Sequence, residues 1–149
     1  GTEGSAAVTR PVGVVDTNVV VSGLLTAEAT APTHRTFNAM LDGRINFLLS
    51  IALLAEYRKV MLRPRIQKRH GLSARDVDVI LQALAANAMI RDPEESGQEC
   101  PDPTDAHLWA LAKAHLGAVL ITGDQALLDH SAKGVMAITP SAFAEQLAL

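Results

Sequence analysis

The chain has 149 residues, a length suited to one domain, and its 48% hydrophobic and 19% charged residues exclude intrinsic disorder. Aromatic residues make up only 3%, so the core must be built from Ala, Val, Leu and Ile, and a surface that stacks many bases on aromatic rings is excluded. The net charge of −3 carries little meaning until its distribution is considered.

Taken in chain order, the segments alternate. Residues 1–11 read as a disordered tip or remnant outside the fold, and 12–149 as the domain. VGVV (12–15) is a buried-strand run closed by Asp16-Thr17-Asn18, and the apolar segment 19–25 starts a helix. Thr33 is placed to cap a helix over 34–42 that Gly43 stops. INFLL (45–49) is a second strand. Ser50 caps the next helix, IALLAEYRKVML, which Pro64 ends or bends. Ser73 and Asp76 form a capping-box pair before a helix over 74–87, and NAMIR (87–91) is a weak strand. After an acidic, proline-containing loop, Thr104 is placed to cap a helix over 105–116, stopped by Gly117. AVLIT (118–122) is a parallel-strand run, Gly123-Asp124 turns into a short helix, VMAI (135–138) is a strand, and Thr139-Pro140 opens the last helix. This alternation predicts an α/β fold: a three-layer α/β/α sandwich around a mostly parallel sheet of four or five strands.

No run approaches ~18 consecutive apolar residues, so no membrane span is expected. The single cysteine, Cys100, and the absence of a secretory-type start point to a reducing, cytoplasmic location. Charge is segregated. Arg58, Lys59, Arg63, Arg65, Lys68 and Arg69 crowd residues 58–70 without an acid, and six acids crowd 92–105 without a Lys or Arg. Such a basic stretch either binds a polyanion or is a solvated helix end.

Acids mark the ends of the strands. Asp16 and Asp124 follow the first and fourth strand runs, and ligands of open parallel sheets bind beyond those ends. Asp105 opens a helix, and Glu56 sits among apolar neighbours in mid-helix, where an unpaired carboxylate is costly. If the four converge, a hard divalent cation, Mg²⁺ or Mn²⁺, relieves their repulsion, and two such ions suit phosphodiester cleavage. Each acid also has an ordinary explanation: Asp16 and Asp124 as turn residues, Asp105 as a first-turn acid, and Glu56 as a surface partner of Lys59 or Arg63.

VVDTNVVVSGLL, LLAEYRKVMLRPR, DPTDAHLWALA and VLITGDQALL, in that order, resemble the PIN domain, the ribonuclease fold of many prokaryotic toxins of toxin–antitoxin pairs. The resemblance covers about residues 12–146. It implies a Mg²⁺- or Mn²⁺-dependent endoribonuclease with Asp16, Glu56, Asp105 and Asp124 as catalytic metal ligands and Asp102 as an alternative to Asp105. Asn18, Ser22 and Thr122 would support the site, and Arg58, Lys59, Arg63, Arg65, Lys68 and Arg69 would hold RNA phosphates. Implied partners are RNA, an antitoxin protein and a second copy of the chain; helices 34–42 and 50–62 are the expected dimer surface.

Two departures stand out. Ala126 and Leu127 occupy positions two and three beyond Asp124 where family members often carry an acid. They favour an alternative: a PIN-like module that binds RNA or protein without strong catalysis. A receiver or phosphotransfer domain is disfavoured by the lack of paired acids at the first strand and of a Lys after the last. A nucleotide-binding domain is disfavoured by the lack of a glycine-rich phosphate loop. The five histidines show no metal-ligand spacing with Cys100 and read as structural or surface residues, His107 on a different helix face from Asp105; Trp109 reads as core.

Overall fold

In a computed structural model, which describes residues 11–94, 102–129 and 135–149, five strands form one all-parallel sheet in the order β3-β2-β1-β4-β5. The strands are β1 (Val12–Val15), β2 (Asn46–Leu49), β3 (Met89–Ile90), β4 (Val119–Ile121) and β5 (Met136–Ile138). The helices are α1 (Thr17–Leu25), α2 (Pro32–Leu41), α3 (Ile51–Met61), α4 (Pro64–His70), α5 (Ala74–Asn87), α6 (Ala106–Lys113), α7 (Gln125–Asp129) and α8 (Pro140–Leu147). The architecture is the expected three-layer α/β/α sandwich. Residues 1–10, and with them nearly all of the expected tip, lie outside the described residues, as do Glu95, Glu99, Cys100 and His130.

An all-parallel sheet must be covered on both faces, and its strands are accordingly apolar throughout. Every residue of β1 is buried, and Phe47, Leu48 and Leu49 of β2 are fully so. α6 lies against β1, β2 and β4 and brings in Trp109, which is fully buried as expected. No described helix is long and apolar enough to cross a membrane.

Local chemistry explains most boundaries. The Ser50 hydroxyl accepts from Leu53 N–H at the start of α3, and Thr139 does the same from Ala142 for α8. Ser73 and Asp76 form the reciprocal capping box of α5. Two expectations change, at the starts of α2 and α6, and the expected end of a helix at Pro64 holds. α2 starts on Pro32 at its first position and is not capped by Thr33. Pro64 ends α3 by opening a separate helix, α4, closed by Gly71 at φ 70°. Asp102, not Thr104, provides the cap before α6: its carboxylate accepts from Thr104 N–H, and a 3-10 turn, Pro103–Asp105, precedes the helix.

α1 and α2 pack so closely that a Cβ on Gly23 would lie 2.5 Å from the Thr33 carbonyl oxygen and 2.6 Å from Phe37 Cβ. The buried residues of α2, Thr36, Phe37, Ala39 and Met40, are consumed by packing on α1, α5 and α8. The expected dimer face over 34–42 is therefore spent inside the molecule. The exposed large hydrophobic residue of the second expected helix is Ile51, which lines a groove between α3 and α5.

Candidate active site

The chain runs from β1 outward through β2 to β3 on one side and from β4 to β5 on the other, so the strand order reverses between β1 and β4. This reversal opens a crevice at the carboxyl ends of the two strands. Val15 pairs with Ile121 in register, and Asp16 N–H donates to the Ile121 carbonyl at 2.9 Å. The residues following both strands, Asp16 and Thr122, are thus side by side.

Thr122 is fully buried and ties the crevice together. Its hydroxyl donates to Asp16 Oδ2 at 2.7 Å and accepts from Asp124 N–H at 3.0 Å. Asp124 then turns its Oδ1 to Ala126 N–H at 2.9 Å, opening α7. Burial raises the pKa of Asp16; the Thr122 hydrogen bond opposes that rise, and the charges of Glu56 and Asp124 add to it.

Glu56 is brought in by α3. Tyr57, fully buried, donates its hydroxyl to the Val15 carbonyl at 2.5 Å and so locks α3 against the end of β1. Burial raises the Tyr57 pKa, with Asp16 and Glu56 adding to the shift, so the phenol stays protonated. Glu56 Oε2 accepts from the Thr17 hydroxyl, and Oε1 lies 3.1 Å from His107 Nε2. The His107 hydrogen bond is the main cause of a lowered Glu56 pKa; Thr17 and the charges of His107 and Arg63 reinforce it against desolvation. The surface pairing with Lys59 or Arg63 is replaced by this inward one.

Asp105 sits at the junction of the 3-10 turn and α6, and its side chain caps nothing. Desolvation, then Asp16, Asp102, Glu56 and Asp124 in that order, push its pKa to about 6. Asp102 is exposed, and the Thr104 N–H it caps holds its carboxyl below the usual range. Of the two alternatives, Asp105 is the one that feels all the other acids.

The crevice therefore couples four carboxylates from four separated segments, and among the described residues none of them pairs with a Lys or Arg. The all-oxygen donor set suits a hard divalent cation. Each carboxylate except that of Asp105 is nevertheless turned to a hydrogen-bond donor of its own. Among the described residues no three His, Cys, Asp or Glu side chains are arranged to hold a metal ion.

Asn18 and Ser22 are exposed on α1 beside the acids, with Ser22 Oγ 3.3 Å from Thr33 Oγ1. All six cations of the basic stretch are exposed, but they do not share one surface. Arg58 pairs with Asp78 of α5 at 2.7 Å, whereas Arg63 and Arg69 line a cleft against α1. Sequence reasoning missed Thr17 and His107. Thr17 sits between Asp16 and Asn18, and its signal was the hydroxyl beside a strand-end acid. His107 was set aside on helical spacing that the 3-10 turn interrupts.

The sequence model of the PIN domain matches residues 13–126. None of the curated proteins compared matches the chain.

Proposed function

Because the chain belongs to the PIN-domain family, whose members are generally nucleases, we propose that it is a Mg²⁺- or Mn²⁺-dependent endoribonuclease acting as the toxin of a toxin–antitoxin pair. The observation that carries the enzymatic reading is the electrostatic coupling of Asp16, Glu56, Asp105 and Asp124 at the strand-order reversal, with no salt bridge to a Lys or Arg among the described residues. Like charges held together at such a cost are expected where a cation and a phosphate are to be bound.

Asp16, Asp105 and Asp124 are the residues that would hold the principal ion, with Glu56 beside them. When bound, the ion supplies positive charge that activates water and offsets the charge growing on the phosphodiester oxygens. Glu56 keeps its negative charge through His107 and Thr17, so it is suited to orient the attacking water and accept its proton. Thr122 fixes the Asp16 rotamer. The water oxygen bonds to phosphorus in line, the P–O3′ bond breaks, and a proton passes to O3′, leaving a 5′-phosphate and a 3′-hydroxyl. The toxin assignment rests on the family subgroup the chain resembles, and an antitoxin and a second copy of the chain are its proposed protein partners.

Asp16→Asn should abolish Mn²⁺-dependent cleavage of RNA while leaving the circular dichroism unchanged; undiminished cleavage would overturn the assignment. A second reading, an RNA- or protein-binding module, is favoured by Ala126 and Leu127 and by the carboxylates being engaged with their own hydrogen-bond donors. Calorimetric titration with Mn²⁺ separates the two, because a module without catalysis shows no uptake dependent on these acids.

A further inference from the structure

The fold divides the basic stretch between two surfaces. Arg58 lines the apolar groove between α3 and α5 and is paired there with Asp78. Arg63, the residue that precedes α4, and Arg69 near the end of α4 line, together with Ile66, a cleft of about 450 Å³ against α1. Neither forms a salt bridge among the described residues. Arg65 and Lys68, also exposed on α4, do not line the cleft.

The base on which these two arginines stand is fixed. Leu72 N–H donates to His70 Nδ1 at 2.9 Å, so Nε2 carries the ring proton and donates to the Met61 carbonyl at 2.8 Å. Gln67 adds a bond to the Leu72 carbonyl at 3.1 Å. These bonds fasten the end of α4 to the end of α3.

The opposite wall is a polar stripe. Asn18 and Ser22 lie four residues apart on α1, and Thr26 follows at the helix's end. Asn18 and Ser22 also line an adjoining cleft of about 360 Å³ that contains Gly123, Asp124 and Pro140. The two clefts thus share a wall and make one trough, leading from the two arginines across α1 to the carboxylate of Asp124.

We infer that Arg63 and Arg69 grip backbone phosphates of a single RNA strand that lies along Asn18, Ser22 and Thr26 and enters the carboxylate crevice from that side. Guanidinium groups that form no salt bridge among the described residues are open to match phosphate in a bidentate manner. Hydroxyl and amide side chains suit ribose and base edges, and the near absence of aromatics fits a grip on the backbone rather than on stacked bases. Two cations along a single cleft serve one strand, whereas a duplex presents two phosphate rows. The inference rests on the nuclease reading for the identity of the strand.

The test is fluorescence-anisotropy binding of a labelled single-stranded RNA in EDTA, over a salt series. Arg63→Ala/Arg69→Ala should weaken binding by about tenfold or more and reduce the slope of log K against log salt by about 1.4, the value for two phosphate contacts on a single strand. Arg65→Ala/Lys68→Ala, which removes the same charge from α4 outside the cleft, should stay within about twofold. Ser22→Glu, which places a negative charge on the polar wall, should weaken binding comparably to the first pair. Equal losses from the two double variants, or no loss from the first, would overturn the grip. Tight RNA binding by the native chain without Mn²⁺-dependent cleavage overturns the nuclease reading and leaves the grip standing.

Discussion

Thr122 donates to Asp16 Oδ2 at 2.7 Å across the point where the sheet reverses its strand order, and both residues are buried. This bond favours the ionised form of a carboxylate whose pKa burial raises.

Replacing Thr122 with Val leaves the buried Asp16 acceptor unsatisfied. We expect a loss of about 1–3 kcal/mol in urea unfolding and a fall in Mn²⁺ affinity by calorimetry. Thr122→Ser keeps the hydroxyl and should retain most of both. Equal behaviour of the Val and Ser variants would show that the hydroxyl is idle.

His107 lowers the pKa of Glu56 through its hydrogen bond. His107→Ala raises that pKa, so Glu56 is protonated over a wider acidic range. The acid limb of the rate profile for RNA cleavage should move to higher pH, with activity recovering at alkaline pH. An unshifted limb would mean that Glu56 does not control the step.

Asp105 has a folded-state pKa of about 6, above the usual value of an unfolded aspartate. The folded state thus takes up a proton more readily than the unfolded one. The Asp105 contribution to the stability of the metal-free protein therefore falls as pH rises from about 4 to about 6 and is a full penalty above that range. Asp105→Asn should raise the metal-free Tm at pH 7.5 and leave it nearly unchanged at pH 4. The Tm increase given by Mn²⁺ should be larger at pH 7.5 than at pH 5.5 in the native chain, because the ion needs the ionised carboxylate.

Gly23 has no room for a methyl group between Thr33 and Phe37. Gly23→Ala should cost about 1–3 kcal/mol in denaturant unfolding despite the better helix propensity of Ala. A variant as stable as the native chain would show that α1 and α2 can separate freely.

The strands were legible because a buried parallel strand is a short unbroken apolar run. VGVV coincides with β1, and AVLIT and VMAI each contain a strand within one residue at either end. The α5 capping box was equally plain, since both of its bonds are local. Pro64 was ambiguous because the ring that ends one helix also suits the first position of the next, and the charged face of α4 gives no apolar period. Asp16 and Asp124 stand out by their place at strand ends, Glu56 by its apolar neighbours in mid-helix and Asp105 by its place at a helix start. His107 was missed because Asp105 has φ −92° and ψ 0°, so the regular helical angle between positions 105 and 107 does not apply. Residues that satisfy an acid from another segment, such as Thr17 toward Glu56, leave no periodic trace in the sequence.

The strand beside β1 comes from far down the chain: Thr122 lies 106 positions beyond Asp16. During synthesis β1 can gain β2 early, but its other edge stays open until β4 has left the ribosome. Nascent chains and prematurely terminated products therefore lack half of the crevice, and whatever the finished protein does to nucleic acid is withheld from them.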